Sequence, residues 1–317
     1  VPASHRALPV VLDTDIGGDP DDAITVAAAA RTLPGLALVL TNDETGAPLP
    51  HGERARFARH LLDLLERGDV ATVAGHGVGG TRYFCAQGLA PASVPEQGRD
   101  VVGAVRALLD RTDGEVLWVG MGALSNLATV LVELPEAAGR LAVTQMGGSL
   151  AYRDPSRAEH NIRMDVPAAH AVFEAIAAGQ LEGVRLVTSD ITFRTEIEVV
   201  PGGPVHHRLA QAATGGWQHL LHHHLEGWFE AFHPGSMQHD ALALSTALDE
   251  PYVGLRPERV VLDPVGRTQR SGPDDRGAAV RMSVSAEYGA FNRWLERGLF
   301  GGESAEGHQG CTSTDRQ

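Results

Sequence analysis

The chain has 317 residues, 43% of them hydrophobic, and a formal net charge of −14 from 40 acidic and 26 basic side chains. That charge opposes a phosphate backbone and no basic stripe offsets it, so nucleic acid is excluded as a partner. No apolar run is long enough to span a membrane, and the two cysteines, Cys85 and Cys311, lie too far apart to suggest a disulfide framework. The start of the chain carries no signal-peptide pattern, so the reading is a cytoplasmic protein that does not engage membranes.

In chain order, an apolar run at 9–12 leads into DTDIGGDPDD at 13–22 and then into an alanine-rich run at 23–30. The order reads as strand, acidic loop, helix. Five carboxylates in ten residues repel one another, and a hard divalent cation with oxygen ligands relieves that repulsion. Gly17 and Gly18 allow a sharp turn, Asp19 and Pro20 suit a helix start, and Asp21 and Asp22 fall in the first turn, where the helix dipole favours negative charge. Further strands are expected at 36–41, 70–74, 116–120, 141–146 and 184–188. Helices are expected at 21–32, 52–66, 100–111, 124–134, 166–178 and 206–232. This alternation predicts an α/β fold: a single domain with a mostly parallel, Rossmann-like central sheet flanked by helices, with ligands at the carboxyl ends of its strands. After Asp249, 260–262 and 278–283 read as paired strands around a turn at 271–277, with a final helix at 287–297. One domain is expected over 1–300, and 301–317 reads as a polar, frayed tail.

Three further segments carry candidate chemistry. His239-Asp240 opens a helix and offers a titratable group and a carboxylate. After the glycines at 147 and 148, Glu159 and Asn161 lie two apart, an acid and an amide suited to neighbouring sugar hydroxyls. His219, His222, His223 and His224 read first as a solvated helix face rather than a chelating cluster. GHGVGG at 75–80 matches a dinucleotide-binding spacing, but the next residues, TRYFCAQGLAP, make a poor helix opening. The absence of lysine rules out Schiff-base and P-loop chemistry and weakens a phosphatase reading of the acidic loop.

Taken together, DTDIGGDPDDA, VGMGALSNLA at 119–128, QMGGS with AEHNIRMDVPAAHAVF, and His239-Asp240 resemble the ordered anchors of the inosine–uridine preferring nucleoside hydrolases over roughly 8–300. The resemblance implies the nucleoside hydrolase fold, a nucleoside substrate, a Ca²⁺ ion at the carboxyl edge of the sheet, and a homodimer or homotetramer. It implies Asp15, Asp22, Asp240 and the carbonyl of Met121 as metal ligands, and Asp21, Glu159 and Asn161 on the sugar hydroxyls. Asp15 would be the general base and His239 would assist the departing base. Asp13 would support the loop. Tyr83, Phe84, Trp217 and Trp228 are candidates to pack on the base, at least two of them expected to be ordinary core.

The chain also departs from the family pattern. Asn42 or Glu44 stands where an Asn is usual, Phe84 replaces a histidine of pyrimidine-preferring members, and Arg153 lies where a second Asn is usual. Arg153 either admits an anionic group such as a 5′-phosphate or faces solvent. Two rival readings stay open: a Mg²⁺-dependent phosphohydrolase and a non-catalytic nucleoside- or ribose-binding protein.

Overall fold

A computed structural model describes residues 8–43, 50–79, 83–272 and 276–301. Eleven strands are formed among them: β1 (Val10–Thr14), β2 (Leu36–Asp43), β3 (Ala71–Gly77), β4 (Val116–Gly120), β5 (Leu141–Met146), β6 (Arg185–Val187), β7 (Glu198–Val199), β8 (Ser236–Met237), β9 (Val253–Leu262), β10 (Thr268–Arg270) and β11 (Ala278–Ala286). Nine of these make one sheet in the order β10-β9-β11-β6-β5-β4-β1-β2-β3, and β7 and β8 form a separate ribbon. The strands from β3 to β11 run parallel, and β9 lies antiparallel between β11 and β10.

The helices are α1 (Asp21–Thr32), α2 (Glu53–Leu64), α3 (Val101–Asp110), α4 (Ser125–Glu133), α5 (His160–Met164), α6 (Val166–Ala177), α7 (Ser189–Thr192), α8 (Pro204–Ala210), α9 (Trp217–Ala231), α10 (His239–Ala247) and α11 (Tyr288–Phe300). They cover both faces of the sheet. Alternate residues of β1 point to opposite sides: Val11 joins the core under α3, α4 and α6, while Val10 and Leu12 join the core under α1, α10 and α11. β1 is buried along its whole length, as expected of a strand in a sheet covered on both faces.

Two sequence expectations change. The helix expected at 206–232 is two helices, α8 and α9, because the chain turns at Gly215 (φ +90°) and restarts after Gly216. The strands around 271–277 do pair, but β10 intervenes and takes the outer edge beyond β9. The tail beyond Gly301 lies outside the described residues. Among the described residues, no helix is long and apolar enough to cross a membrane.

The sheet order reverses between β1 and β4, and this switch point opens a crevice beyond their carboxyl ends. α1 and α10 pack side by side behind it, and nearly every residue of both is buried. The small residues of α1 and α11 meet in turn where Ala28 faces Gly298. Close packing also fixes Gly75 in β3, where an added methyl would collide with the Asn126 amide and the Thr41 carbonyl oxygen. Gly75→Ala is therefore expected to cost about 1–3 kcal/mol of stability, the usual range for overpacking, as read by urea denaturation.

Candidate active site

The N-terminal ends of α1 and α10 meet, and their first turns carry Asp21, Asp22 and Asp240. All three are buried, and carboxylate oxygens of the three lie within 4.8 Å of one another. The Asp240 N–H donates to Asp21 Oδ2 at 3.3 Å, joining the two helix starts, and the Thr14 hydroxyl donates to Asp22. Asp15 completes the group beside Asp22. Burial, followed by the Asp19 and Asp15 charges, pushes Asp21 well above the ordinary carboxylate range. Asp22 is raised by burial and by Asp15 and Asp21, and Asp240 by burial and by Asp21, Asp22 and Asp15. Hard oxygen donors at this spacing, each disfavouring its neighbours' charge, fit a hard divalent cation.

Under the cluster, Asp13 accepts from Asn42 Nδ2 at 2.9 Å and Asn126 Nδ2 at 2.7 Å, and burial raises its pKa to about 8. Asp13 thus ties the end of β1 to β2 and α4. Pro20 occupies the cap position of α1, and Asp19 lies one residue before it. Its carboxylate accepts from the Asp21 N–H at the helix start and from the Ser236 hydroxyl, and burial raises it to about 7.

A pocket of about 390 Å³ opens above these groups, lined among others by Asp15, Asp21, Asp22, Asp240, Met121, Glu159 and Asn161. Glu159 Oε2 accepts the N–H groups of Gly148 and Asn161, each at 3.0 Å, which leaves Oε1 for a ligand. Asn161 Nδ2 donates to the carbonyls of Met121 at 2.9 Å and Met146 at 3.0 Å, so its Oδ1 is the atom it offers. The Met121 carbonyl at the pocket floor thus has one bond from Asn161 and a second lone pair to give. His239 lies in the wall, its Nδ1 2.7 Å from the Thr192 hydroxyl, and its ring stacks on Phe193. Burial, with Arg153 and His160 nearby, lowers its pKa to about 3. His160 Nε2 stands 3.8 Å from Asp15 Oδ2, and its Nδ1 accepts from Arg163 at 2.9 Å.

One wall is aromatic. Tyr83, Trp228 and Phe232 contact one another with ring centres 5.2–5.8 Å apart, and all three line the pocket. Of the aromatic candidates named from sequence, Tyr83 and Trp228 are here and two are not. Trp217 is buried under Arg31 and stacked on Phe300. Phe84 packs below the acidic loop, against Gly17 and with Arg54 over its ring, away from the pocket. Asn42 is also corrected: its Nδ2 is spent on Asp13 and the Ala123 carbonyl, and it does not line the pocket. Glu44 lies outside the described residues. His224 does not share a solvated face with its neighbours. It is buried against Phe57, its Nε2 is 3.2 Å from the Gly18 carbonyl, and burial lowers its pKa to about 4.

Sequence reasoning missed Tyr152, His160, Arg163, Phe193 and Phe232 in the pocket, and Arg54 beneath it. For the first three the signal was their place in the segment already singled out for Glu159 and Asn161. Arg54 gave none, since an arginine in an amphipathic helix reads as surface.

A model of the family described as inosine-uridine preferring nucleoside hydrolase matches residues 10–297. The pyrimidine-specific ribonucleoside hydrolase RihA of Enterobacter sp. (strain 638) is 28% identical over 205 residues, which are 60% of this chain and 63% of that protein. The match thus spans less than two thirds of RihA. The non-specific ribonucleoside hydrolase RihC of Escherichia coli O7:K1 is 26% identical over 322 residues, covering 91% of this chain and 97% of that one. Among solved structures, the plant nucleoside hydrolase PpNRh1 superposes with a TM-score of 0.72 at 20% identity, covering 92% of this chain and 99% of that chain, and shows the shared fold.

Proposed function

The chain belongs to the inosine–uridine preferring nucleoside hydrolase family, and from that premise we propose that it hydrolyses the N-glycosidic bond of a ribonucleoside to free base and ribose. The observation that carries the reading is the convergence of Asp15, Asp21, Asp22 and Asp240 in one pocket with Glu159 and Asn161, facing an aromatic wall. Acids and amides suit ribose hydroxyls, and the rings of Tyr83, Trp228 and Phe232 suit the flat face of a base. The one-domain organisation over residues 1–300 belongs to the same proposal, supported by the single large sheet that both halves of the chain build.

Asp15, Asp22, Asp240 and the Met121 carbonyl would hold the metal, which we take to be Ca²⁺ from the all-oxygen donor set. Bound there, the ion supplies charge that makes a nearby water more acidic. Asp15 accepts that water's proton as general base while the water attacks C1′. Asp21, Glu159 and Asn161 hold the ribose hydroxyls and fix the sugar over the attacking water. The carboxylates also face the positive charge that builds on the sugar as the C1′–N bond lengthens. His239, anchored through Nδ1 to Thr192, offers Nε2 to the departing base.

The test is turnover of inosine, adenosine, uridine, cytidine and their 5′-monophosphates, with added Ca²⁺ and after chelation, with base, sugar and inorganic phosphate all quantified. Base and ribose are expected in equal amounts with Ca²⁺, and chelation is expected to abolish release. Release of inorganic phosphate from phosphorylated substrates in place of base, or binding of nucleosides without release, overturns the proposal.

A further inference from the structure

The acidic floor of the pocket faces a rim of opposite charge. The Arg153 guanidinium carbon lies 4.7 Å from the centre of the Tyr152 ring and 4.4 Å from that of Phe193. Contacts to two rings use none of its N–H donors in a conventional hydrogen bond, so those donors are free for another partner. Among the described residues, Arg153 has no hydrogen-bond acceptor and no carboxylate within ion-pair distance. Its neighbour Asp154 is not spent on it, for that carboxylate accepts the N–H and hydroxyl of Ser156 at 3.0 and 2.6 Å.

Arg163 donates to the Tyr152 hydroxyl at 3.3 Å, the Ala158 carbonyl at 3.3 Å and His160 Nδ1 at 2.9 Å. It too meets no carboxylate among the described residues. Tyr152 therefore ties both guanidiniums to one side of the pocket. Four arginines away from the pocket, Arg56, Arg59, Arg67 and Arg267, each pair with an acid within 3.0 Å, and Arg140 spends its donors on the carbonyls of Leu109, Thr112 and Gly114. In a chain of net charge −14, two pocket-lining cations without an acid are placed for an acceptor from outside.

We propose that Arg153 and Arg163 bind a phosphate carried by the substrate, and that the substrate class is nucleoside 5′-monophosphates. The inference rests on the reading of the site as an N-ribohydrolase. In that reading the 2′- and 3′-hydroxyls go to the acidic floor and C1′ carries the base, so O5′ is the position from which an anion reaches the rim. Paired N–H donors of a guanidinium match two phosphate oxygens. In the reaction water adds its oxygen to C1′, the C1′–N bond breaks, the base leaves with the proton, and the phosphate ester is untouched, so the products are base and ribose 5-phosphate.

Two measurements on the full chain test this. The first compares kcat/KM for uridine, uridine 5′-monophosphate and orotidine in wild type and Arg153→Ala. The ratio of monophosphate to uridine is expected to be at least about tenfold in wild type and to fall at least about tenfold in the variant, the scale of one charge-assisted hydrogen bond. A ratio of one or less, or a ratio unchanged in the variant, overturns the proposal. A preference for orotidine over both others also overturns it and assigns the anion to the base. The second compares calorimetric affinity for ribose 5-phosphate and ribose in the presence of Ca²⁺, which needs no turnover. Ribose 5-phosphate is expected to bind at least about tenfold more tightly, and equal affinity overturns the phosphate site. If no substrate is cleaved but ribose 5-phosphate is preferred, the hydrolase reading fails and the phosphate site stands.

Discussion

Asp15→Asn is expected to lower kcat by about 10²–10⁴-fold, the range that general-base catalysis supplies, with little change in KM for the substrate. Asp15 stands beside Asp22 and raises the pKa of every other carboxylate in the cluster, so it lies where a water held among them would give up its proton. The amide keeps the shape and removes the proton acceptor. It also removes one negative charge from a crowded, buried group, so the variant without Ca²⁺ is expected to be at least as stable as wild type to urea. That pairing separates loss of chemistry from loss of fold. Steady-state kinetics with saturating Ca²⁺ checks the first part, and turnover within tenfold of wild type removes Asp15 from the role of base.

Arg54→Leu is expected to cost about 3–5 kcal/mol of stability, the scale for removing one partner of a buried charged network. Arg54 lies on α2, fully buried, and donates to the carbonyls of Asp15, Ile16 and Tyr83 beneath the acidic loop. Leucine leaves those carbonyls without that donor and removes a buried positive charge from beneath the acidic loop. Urea denaturation reads the loss directly. Arg54→Lys, which keeps the charge with fewer directed donors, is expected to fall between leucine and wild type. A leucine variant within about 1 kcal/mol of wild type would show that the loop holds its shape without Arg54.

The two variants probe opposite sides of one arrangement. Carboxylates gather where two helix N-termini meet, and N–H groups, asparagine amides and one buried guanidinium hold them from below. His224 belongs to the same support, since its ring lies under the Gly18 carbonyl and stays neutral there. A site charged this densely is a source of instability that a bound cation offsets, and stability is expected to rise with Ca²⁺ concentration by linkage.

Much of this was open to reading in the sequence because it rests on local rules. The strand–acidic loop–helix order at 10–32 comes from an apolar run, a glycine turn and a proline at a helix start, and α1 begins and ends where that pattern places it. The parallel sheet comes from apolar strands alternating with helices, and family membership from four ordered anchors. Helix dipoles and cap chemistry put Asp21, Asp22 and Asp240 in first turns before any coordinates exist.

What the tertiary structure alone decided is which side chains face which. Asn42 and Phe84 sit near the right strands and loops, but the packing of β1, β2 and the loop turns Asn42 onto Asp13 and Phe84 under Gly17. His224 shares a helix with His223, yet the two point to different surroundings because one face of α9 lies on α1 and α2. Arg54 was invisible as a site residue because its partners lie far along the chain, whereas Tyr152 and Arg163 fall in a segment already singled out but take their roles from contacts made across a loop. Local order is encoded in neighbouring residues. The direction of a side chain is settled only when distant elements compete for the same space.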